Sequence, residues 1–321
     1  MKKVTACIVT FNRKNELLRC IDYVIRQSYP VSNILIYDNA STDGTSEAVI
    51  AQFHGNIKPS PIPQKIKTIE NINIWLVSAA KNSGGAGGFH ESVKYARTSF
   101  GTDYYWLMDD DGYPSLDCLE IILSYSKKMS LDYVMPVSIN LDEHQKLSWP
   151  TRMKNGVKTE SYSDLCNSWG DVMDYITPFN GSLITKKCVD SVGYVNKDFF
   201  IWGDEYEHYW RCKKNGIFPV TVTSAVFFHP ALKLPLHPIL WGMIMVPYVD
   251  SELRMTCLVR NYTYIHKKYD NKLKILTKFL VYSWFFLVSR RMDIKGYSLY
   301  IKCVMDGLFN RFSRHLDYIK K

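Results

Sequence analysis

Three consecutive aspartates, Asp109, Asp110 and Asp111, close the apolar stretch DYYWLMDDDGYP. Adjacent carboxylates repel one another, and nothing in the packing of a sheet calls for them. They are either a solvated acidic turn or a seat for something positive, and oxygen ligands on a loop suit Mg2+ or Mn2+. Such an ion commonly bridges phosphates, because it offsets their charge while keeping coordination positions open. A second acidic cluster lies in WGDEYEHYWR, where Asp204, Glu205 and Glu207 stand among Trp202, Tyr206, Tyr209 and Trp210. Aromatic walls lower the local dielectric and raise carboxylate pKa values, which suits a general base near neutral pH. Acids beside Trp and Tyr also suit a sugar, with hydroxyls bonded and the ring face stacked. The plainer alternative is a helix start whose acids meet the dipole. His229 ends the run VFFH; alone it reads as structural, and beside a carboxylate site it becomes a further metal ligand.

Alternating strand and helix signals must position these groups. VTACIVTF (4–11), NILIYDNA (33–40), INIWLVSA (72–79) and DYYWLM (103–108) read as buried strands. KNELLRCIDYVIRQ (14–27), STDGTSEAVIAQF (41–53), FHESVKYARTSF (89–100) and SLDCLEIILSYSKKM (115–129) read as helices. This rhythm predicts an α/β, Rossmann-like, mostly parallel sheet with helices on both faces. Ligands of such sheets bind beyond the carboxyl ends of the strands. Those ends deliver Thr10, Asn12 and Arg13, then Asp38 and Asn39, then NSGGAGGF (82–89), then the aspartates. Polar and flexible residues converging on one rim predict a site. The glycine run lets a ligand approach the backbone and leads into a helix N-terminus, which favours anions. It is not a P-loop, for it lacks GKS or GKT. Asp38 either caps the next helix, where Ser41 or Asp43 is better placed, or reads a base or ribose. Arg13 either meets a phosphate or is solvated beside Lys14 and Glu16. Beyond residue 140, a polar, loop-rich insertion spans 141–175. Order returns with ITPFNGSLI (176–184), FFIWGDEYEHYWR (199–211) and VTSAVFFHP (222–230), before a Pro-containing loop over 230–247.

A chain of 321 residues admits one large α/β domain or two smaller ones. No N-terminal signal is visible, since charges follow at once on MKKVTACIVTF. Eight scattered cysteines without a CxxC argue against a zinc site and fit reduced, cytosolic thiols. The net charge of +9 sits wholly in Lys267–Lys321, with 13 basic and 4 acidic residues, so the first 266 are neutral in sum. A neutral body with acids at its strand ends argues against nucleic acid as a partner. Within the basic tail, FLVYSWFFLV (279–288) is too short for a bilayer, which takes roughly 20 residues. It reads as a segment lying in a membrane interface, the alternative being a core helix with a basic face.

In order along the chain, VTFNR, DNASTDGT, NSGGAGGF, WLMDDDGYP, FNGSL, FIWGDEYE and VRNYTY (259–264) carry a resemblance. Over residues 1–265 the sequence resembles the family 2 inverting glycosyltransferases of GT-A fold, and within them bacterial galactofuranosyltransferases. The resemblance implies a GT-A domain over 1–265, with a nucleotide-binding half (1–140) and an acceptor-binding half (141–265). Residues 266–321 then form a basic helical region at the membrane interface. It implies Mn2+ or Mg2+ on Asp109, Asp111 and His229, and a UDP-sugar donor, UDP-galactofuranose by preference. Thr10, Phe11, Arg13, Asp38, Asn82, Gly85, Asp109 and Asp110 would line the donor pocket, with Asp38 reading uracil. The base falls in the pair Asp204–Glu205; the family often has two aspartates there, and position favours Glu205. Trp202, Glu207 and Asn180 would meet the acceptor, with Glu207 and Arg211 ordering the motif. The implied acceptor is a glycan or a polyprenyl-diphosphate-linked glycan at the cytoplasmic face of the membrane, in surface polysaccharide synthesis. The rivals are a rhamnosyl- or other hexosyltransferase and, from another class, a metal-dependent nucleotidyltransferase.

Overall fold

The computed structural model describes residues 2–174, 178–231 and 234–319. It falls into two compact units, 1–197 with 211–232, and 198–210 with 233–321. The expected boundary at residue 265 lies inside a single helix, Glu252–Lys268, of the second unit.

In the first unit the apolar runs become strands buried on both faces, as parallel sheets require. The chain order opens β1 (Val4–Thr10), α1 (Lys14–Ile25), β2 (Asn33–Asp38), α2 (Thr45–Gln52), β3 (Gln64–Ile69) and β4 (Ile72–Ser78). It continues with α3 (Gly84–Ser99), β5 (Tyr104–Asp109), β6 (Tyr113–Pro114), α4 (Cys118–Lys128) and β7 (Tyr133–Asn140). Then come β8 (Lys146–Arg152), β9 (Lys158–Ser161), α5 (Tyr162–Trp169), β10 (Val172–Met173), β11 (Ser182–Thr185) and α6 (Lys186–Val192). After α7 (Asp204–Lys214), β12 (Val220–His229) completes the sheet, whose main order is β10-β12-β7-β11-β5-β1-β2-β4-β3. Helices cover both faces. Leu17 and Ile21 of α1 and Leu119 and Ile122 of α4 share a core with Ala6, Ile8, Ile34 and Trp106. On the other face α3 packs so closely on β1 that a Cβ at Gly88 would stand 2.5 Å from Val9 Cγ1.

Four expectations need correction. The third strand is the second arm of an antiparallel hairpin, β3–β4, and β3 was not foreseen. The glycine run is not a loop before a helix, since α3 already begins at Gly84. The insertion 141–175 is largely regular: β8, β9, α5 and β10 fill it up to Met173. The 230–247 loop contains a hairpin, β13 (Leu236–Ile239) with β14 (Ile244–Pro247). Leu232 and Lys233 in that loop, and Ile176 and Thr177 of ITPFNGSLI, lie outside the described residues.

The second unit is helical apart from that hairpin. Helix α8 (Glu252–Lys268) is capped by Ser251, whose side chain accepts from the Arg254 N–H. Helix α9 (Leu273–Trp284) runs on into a π turn over Phe285–Ser289, and α10 (Ile294–Leu308) is capped by Asp293. Tyr282, Phe285, Phe286, Tyr300 and Val304 form the core between them, with Ile239 and Val246 from the hairpin. The opposite side of α9 leaves Leu273, Leu276, Leu280 and Trp284 exposed at helical spacing. Among the described residues no helix is long and apolar enough to cross a membrane.

Candidate active site

The register of the sheet decides which side chains meet. Strands β1, β2, β4 and β5 are parallel, with Thr10 opposite Asp38, Asp38 opposite Ser78, and Val9 opposite Asp109. Strand β11 is antiparallel to both β5 and β7, so β7 and its parallel neighbour β12 run the same way as β5. Their last residues, Asn140 and His229, therefore reach the same rim as the aspartates. Arg13 Nη1 lies 3.2 Å from Asp110 Oδ1 and makes a closer ion pair with Asp111. His229 Nε2 stands 3.3 Å from Asp111 Oδ1. Its Nδ1–H donates to the Pro230 carbonyl at 2.6 Å, which aims Nε2 at the carboxylate. A backbone partner of this kind is how metal-binding imidazoles are usually oriented.

The three carboxylates are electrostatically unlike. Burial, then repulsion from Asp111 and Asp110, pushes Asp109 up to about 8. Burial raises Asp110 to about 6, against the pull of Thr10 and Arg13. Burial would raise Asp111 too, but His229 and Arg13 hold it at about 2. His229 responds in kind: burial pushes its pKa down and Asp111 more than offsets that. Asp110 Oδ2 is buried without a hydrogen-bond donor, and Asp111 Oδ1 is buried with only His229 Nε2 near it. Among the described residues no three His, Cys, Asp or Glu side chains are already gathered as an ion's ligand set. Donor-poor carboxylate oxygens, a raised pKa and an oriented imidazole fit a hard divalent cation.

The neighbouring loops are stitched by asparagines. Asn39 Oδ1 accepts from Ser83 N–H at 2.9 Å, and its Nδ2 donates to the Gly84 carbonyl at 2.8 Å. Asn82 Oδ1 accepts from Gly84 N–H at 2.8 Å, and Asn12 Oδ1 from Thr42 N–H at 2.7 Å. Gly84 has φ +71°, the left-handed turn that lets α3 start there. At Gly85 an added Cβ would meet nothing within 4 Å, so no packing inside the protein demands a glycine. Asp38 is 2 % exposed and accepts from Ser41 N–H and Ser46 Oγ. It organises its own loop, while the N-cap position of α2 falls to Gly44 rather than Ser41 or Asp43. Thr10 is buried and Phe11 is exposed on the rim. Asn180 is fully buried with neither amide atom partnered. It lies just before Ser182, which pairs with Leu107, and so flanks the end of β5.

The second acidic cluster belongs to the other unit. There α7 opens on Asp204, which is buried, then Glu205, which is half-buried. Glu207 is buried and accepts from Tyr269 O–H at 2.7 Å. Arg211, on the first-unit part of α7, binds the carbonyls of Val192 and Tyr194. The loop before α7 is strained: Phe200 and Trp202 have φ +67° and +63°, a region costly for residues with a side chain. Asn261 holds it, its Nδ2 donating to the carbonyls of Phe199, Ile201 and Trp202 at 3.0, 3.0 and 2.7 Å. Arg260, fully buried, adds a bond from Nη2 to the Phe199 carbonyl at 3.0 Å. Sequence reasoning assigned neither residue a role. The signal was there in VRNYTY, an arginine and an asparagine inside an otherwise helix-forming stretch. Of the residues expected at the acceptor, Asn180 lies in the first unit, whereas Trp202 and Glu207 lie in the second.

A model described as Glycosyl transferase family 2 matches residues 5–175. The chain is 31% identical over 316 residues to galactofuranosyltransferase GlfT1 of Mycolicibacterium smegmatis, covering 97% of this chain and 98% of that one. It is 28% identical to the protein of the same name from Mycobacterium tuberculosis, covering 98% of each. Among solved structures, S. aureus TarS 1-349 is similar with a TM-score of 0.57 at 11% identity, covering 99% of this chain and 83% of that one. The same protein in complex with UDP-GlcNAc gives a TM-score of 0.56 at 12% identity, covering 99% and 84%. At these identities the likeness is one of fold.

Proposed function

The chain belongs to glycosyl transferase family 2 and is a glycosyltransferase of GT-A fold, and from that premise we propose a metal-dependent, inverting galactofuranosyltransferase. Its donor is UDP-galactofuranose and its acceptor a hydroxyl of a glycan or a polyprenyl-diphosphate-linked glycan. The near full-length similarity to galactofuranosyltransferases supports the donor sugar.

The observation that carries the chemistry is the charge at the rim. Three carboxylates face one guanidinium and one imidazole, with buried oxygens left over. Asp109, Asp111 and His229 would hold Mn2+ or Mg2+, which when bound offsets the charge of a leaving diphosphate. Asp38 and the loops tied by Asn39 and Asn82 hold the nucleoside, and Gly85 leaves room beside it. Arg13 adds positive charge for the phosphates. Glu205, the less buried of the acidic pair, takes the proton of the acceptor hydroxyl, with Asp204 beside it in sequence. The acceptor oxygen attacks the anomeric carbon from the face opposite the diphosphate. One C–O bond forms as the other breaks, UDP leaves, and the proton stays on the carboxylate. The basic tail and the exposed stripe of α9 keep the protein at the cytoplasmic membrane surface, in the assembly of surface polysaccharide.

Calorimetric titration with UDP, with and without Mn2+, tests the site in wild type and Asp111→Ala. Binding that needs the metal and disappears in the variant is the expected result. UDP ignored under every condition would sink the uridine assignment. Release of inorganic diphosphate instead of UDP during turnover would favour a nucleotidyltransferase.

A further inference from the structure

Helices α8, α9 and α10 of the second unit enclose a cavity of about 240 Å3 that the chemistry at the rim does not use. Its walls are apolar: Leu258 and Val259 from α8, Ile275 from α9 and Val304 from α10. Thr263 and three tyrosines add hydroxyls, and two nitrogen-bearing side chains, His266 and Lys278, stand among them. His266 is 5% exposed, and its Nδ1 lies 3.0 Å from Asp270 Oδ2. Nδ1–H donates there, which leaves Nε2 a buried acceptor with no hydrogen-bond partner on the cavity wall. Lys278 also lines the cavity, its ammonium 5.1 Å from the centre of the Tyr262 ring. The residue as a whole is exposed, yet burial, then the neighbouring Lys274, pushes its amine down to about 8, so the ammonium sits inward at the mouth; among the described residues it forms no salt bridge. The other side of α9 is the exposed apolar stripe, with Lys272 and Lys274 beside it.

An apolar interior, a lysine at the mouth that forms no salt bridge and an unpartnered imidazole nitrogen together describe an amphiphile with an anionic head, with Asp270 the one carboxylate acting on both Lys278 and His266. We propose that this cavity binds the lipid-phosphate end of the acceptor: a single prenyl-type chain inside, and its phosphate on Lys278 and His266. The inference rests on the glycosyltransferase reading of the chain and adds the place where the acceptor's lipid is held. A phosphate offers several acceptor oxygens to Lys278, and its P–OH can donate to Nε2. A cavity of about 240 Å3 has room for the stretch of one chain nearest the head group, which sets the ligand apart from the two-chain phospholipids of a bilayer. Seating the lipid beneath a helix whose far side is apolar lets it enter from a membrane surface without crossing water.

Calorimetry on the purified full chain with geranylgeranyl monophosphate, below its aggregation threshold, is the test. Saturable one-to-one binding is expected, at least tenfold tighter than to geranylgeraniol, with no binding of inorganic phosphate. Lys278→Met, at an exposed position that leaves the core intact, should weaken it at least tenfold, and His266→Gln should weaken it as well. Equal affinity in wild type and Lys278→Met overturns the inference. So does binding without fixed stoichiometry that phosphatidylglycerol vesicles abolish, which marks surface adsorption. UDP titrated into the same samples separates the two readings: UDP bound with prenyl phosphate ignored refutes the lipid site alone. Prenyl phosphate bound with UDP ignored refutes the donor site alone.

Discussion

Asn261→Asp is the sharpest perturbation of the acidic cluster, because it keeps shape and replaces two N–H donors by an oxygen. In the native loop those two protons are shared among the carbonyls of Phe199, Ile201 and Trp202. Phe199 keeps Arg260 as a donor, so the loss falls on Ile201 and Trp202. A lost hydrogen bond costs about 1 kcal/mol, and a buried carbonyl deprived of its donor about 1–3 kcal/mol. A carboxylate facing carbonyl oxygens adds repulsion, which Arg260, donating from Nε to Oδ1 at 2.9 Å, offsets in part, so a destabilisation of about 3 kcal/mol is expected. At about 2–4 °C per kcal/mol for a domain of this size, the melting temperature falls by about 6–12 °C. The same bonds hold Phe200 and Trp202 at positive φ, so the loop relaxes once they are gone. Asp204 and Glu205, the acidic pair proposed to supply the base, follow directly on that loop, and a displacement of about 1 Å at a base costs on the order of 10²-fold in rate. Thermal unfolding and transfer from UDP-galactofuranose measure the two effects, with UDP binding as a control expected to stay as in wild type. A variant that melts at the wild-type temperature and transfers at the wild-type rate would refute this account of the loop.

Gly85→Ala should leave the fold intact or stabilise it by up to about 1 kcal/mol, since its Cβ meets open space. It should weaken UDP-sugar binding in a titration, and unchanged affinity would remove Gly85 from the donor pocket. Gly88→Ala should instead lower the melting temperature, because its Cβ would stand 2.5 Å from Val9. Stability should also fall in mild acid. Burial, then the neighbouring Arg260, pushes His315 down to about 4, and its Nδ1 accepts from Arg260 Nη1 at 2.9 Å. A base depressed in the fold is protonated first in the unfolded chain. Its contribution is therefore complete above pH 6.5 and lost as the pH drops toward 4, at up to about 1.4 kcal/mol per pH unit. Burial also holds His266 at about 4, so denaturant unfolding at pH 7.5, 6 and 5 should show the slope of both, and His315→Gln should reduce it by about half.

Strands β1, β2 and β5 were legible because burial on both faces writes itself as an apolar run, and β4 because its buried Ile72, Ile74 and Leu76 alternate with half-buried residues. The strands that escaped are those whose sequence lacks that mark. Strand β3, QKIKTI, lies at the sheet edge with alternating exposure and two lysines, and so reads as polar chain. Strand β7 carries Pro136, which ordinarily argues against a strand interior. It is tolerated here because the pairing with β12 shifts register just past it, between Val222 and Val226. Strands β8 and β9 pair mainly with each other, and their partners cannot be inferred from local composition.

The rim stood out for a different reason: charge has no packing explanation, so three aspartates at a strand end mark a candidate site from sequence alone. Their inequality was not legible. Burial and the two neighbouring carboxylates hold Asp109 near 8, whereas Arg13 and His229, nearly 100 residues before and more than 100 after, overcome burial at Asp111 and hold it near 2. The same limit hid Asn261. Its amide reaches carbonyls some 60 residues earlier, and nothing in FFIWGDE shows that its backbone is strained. Local sequence thus shows which groups cannot be idle, and long-range pairing decides which of them is charged and which is held. That division also sorts the tests: Asp111→Ala removes a charge the sequence advertised, whereas Asn261→Asp removes a support that only the fold revealed. If the second variant lost activity while still binding UDP, the acidic cluster would be shown to depend on a residue outside its own motif.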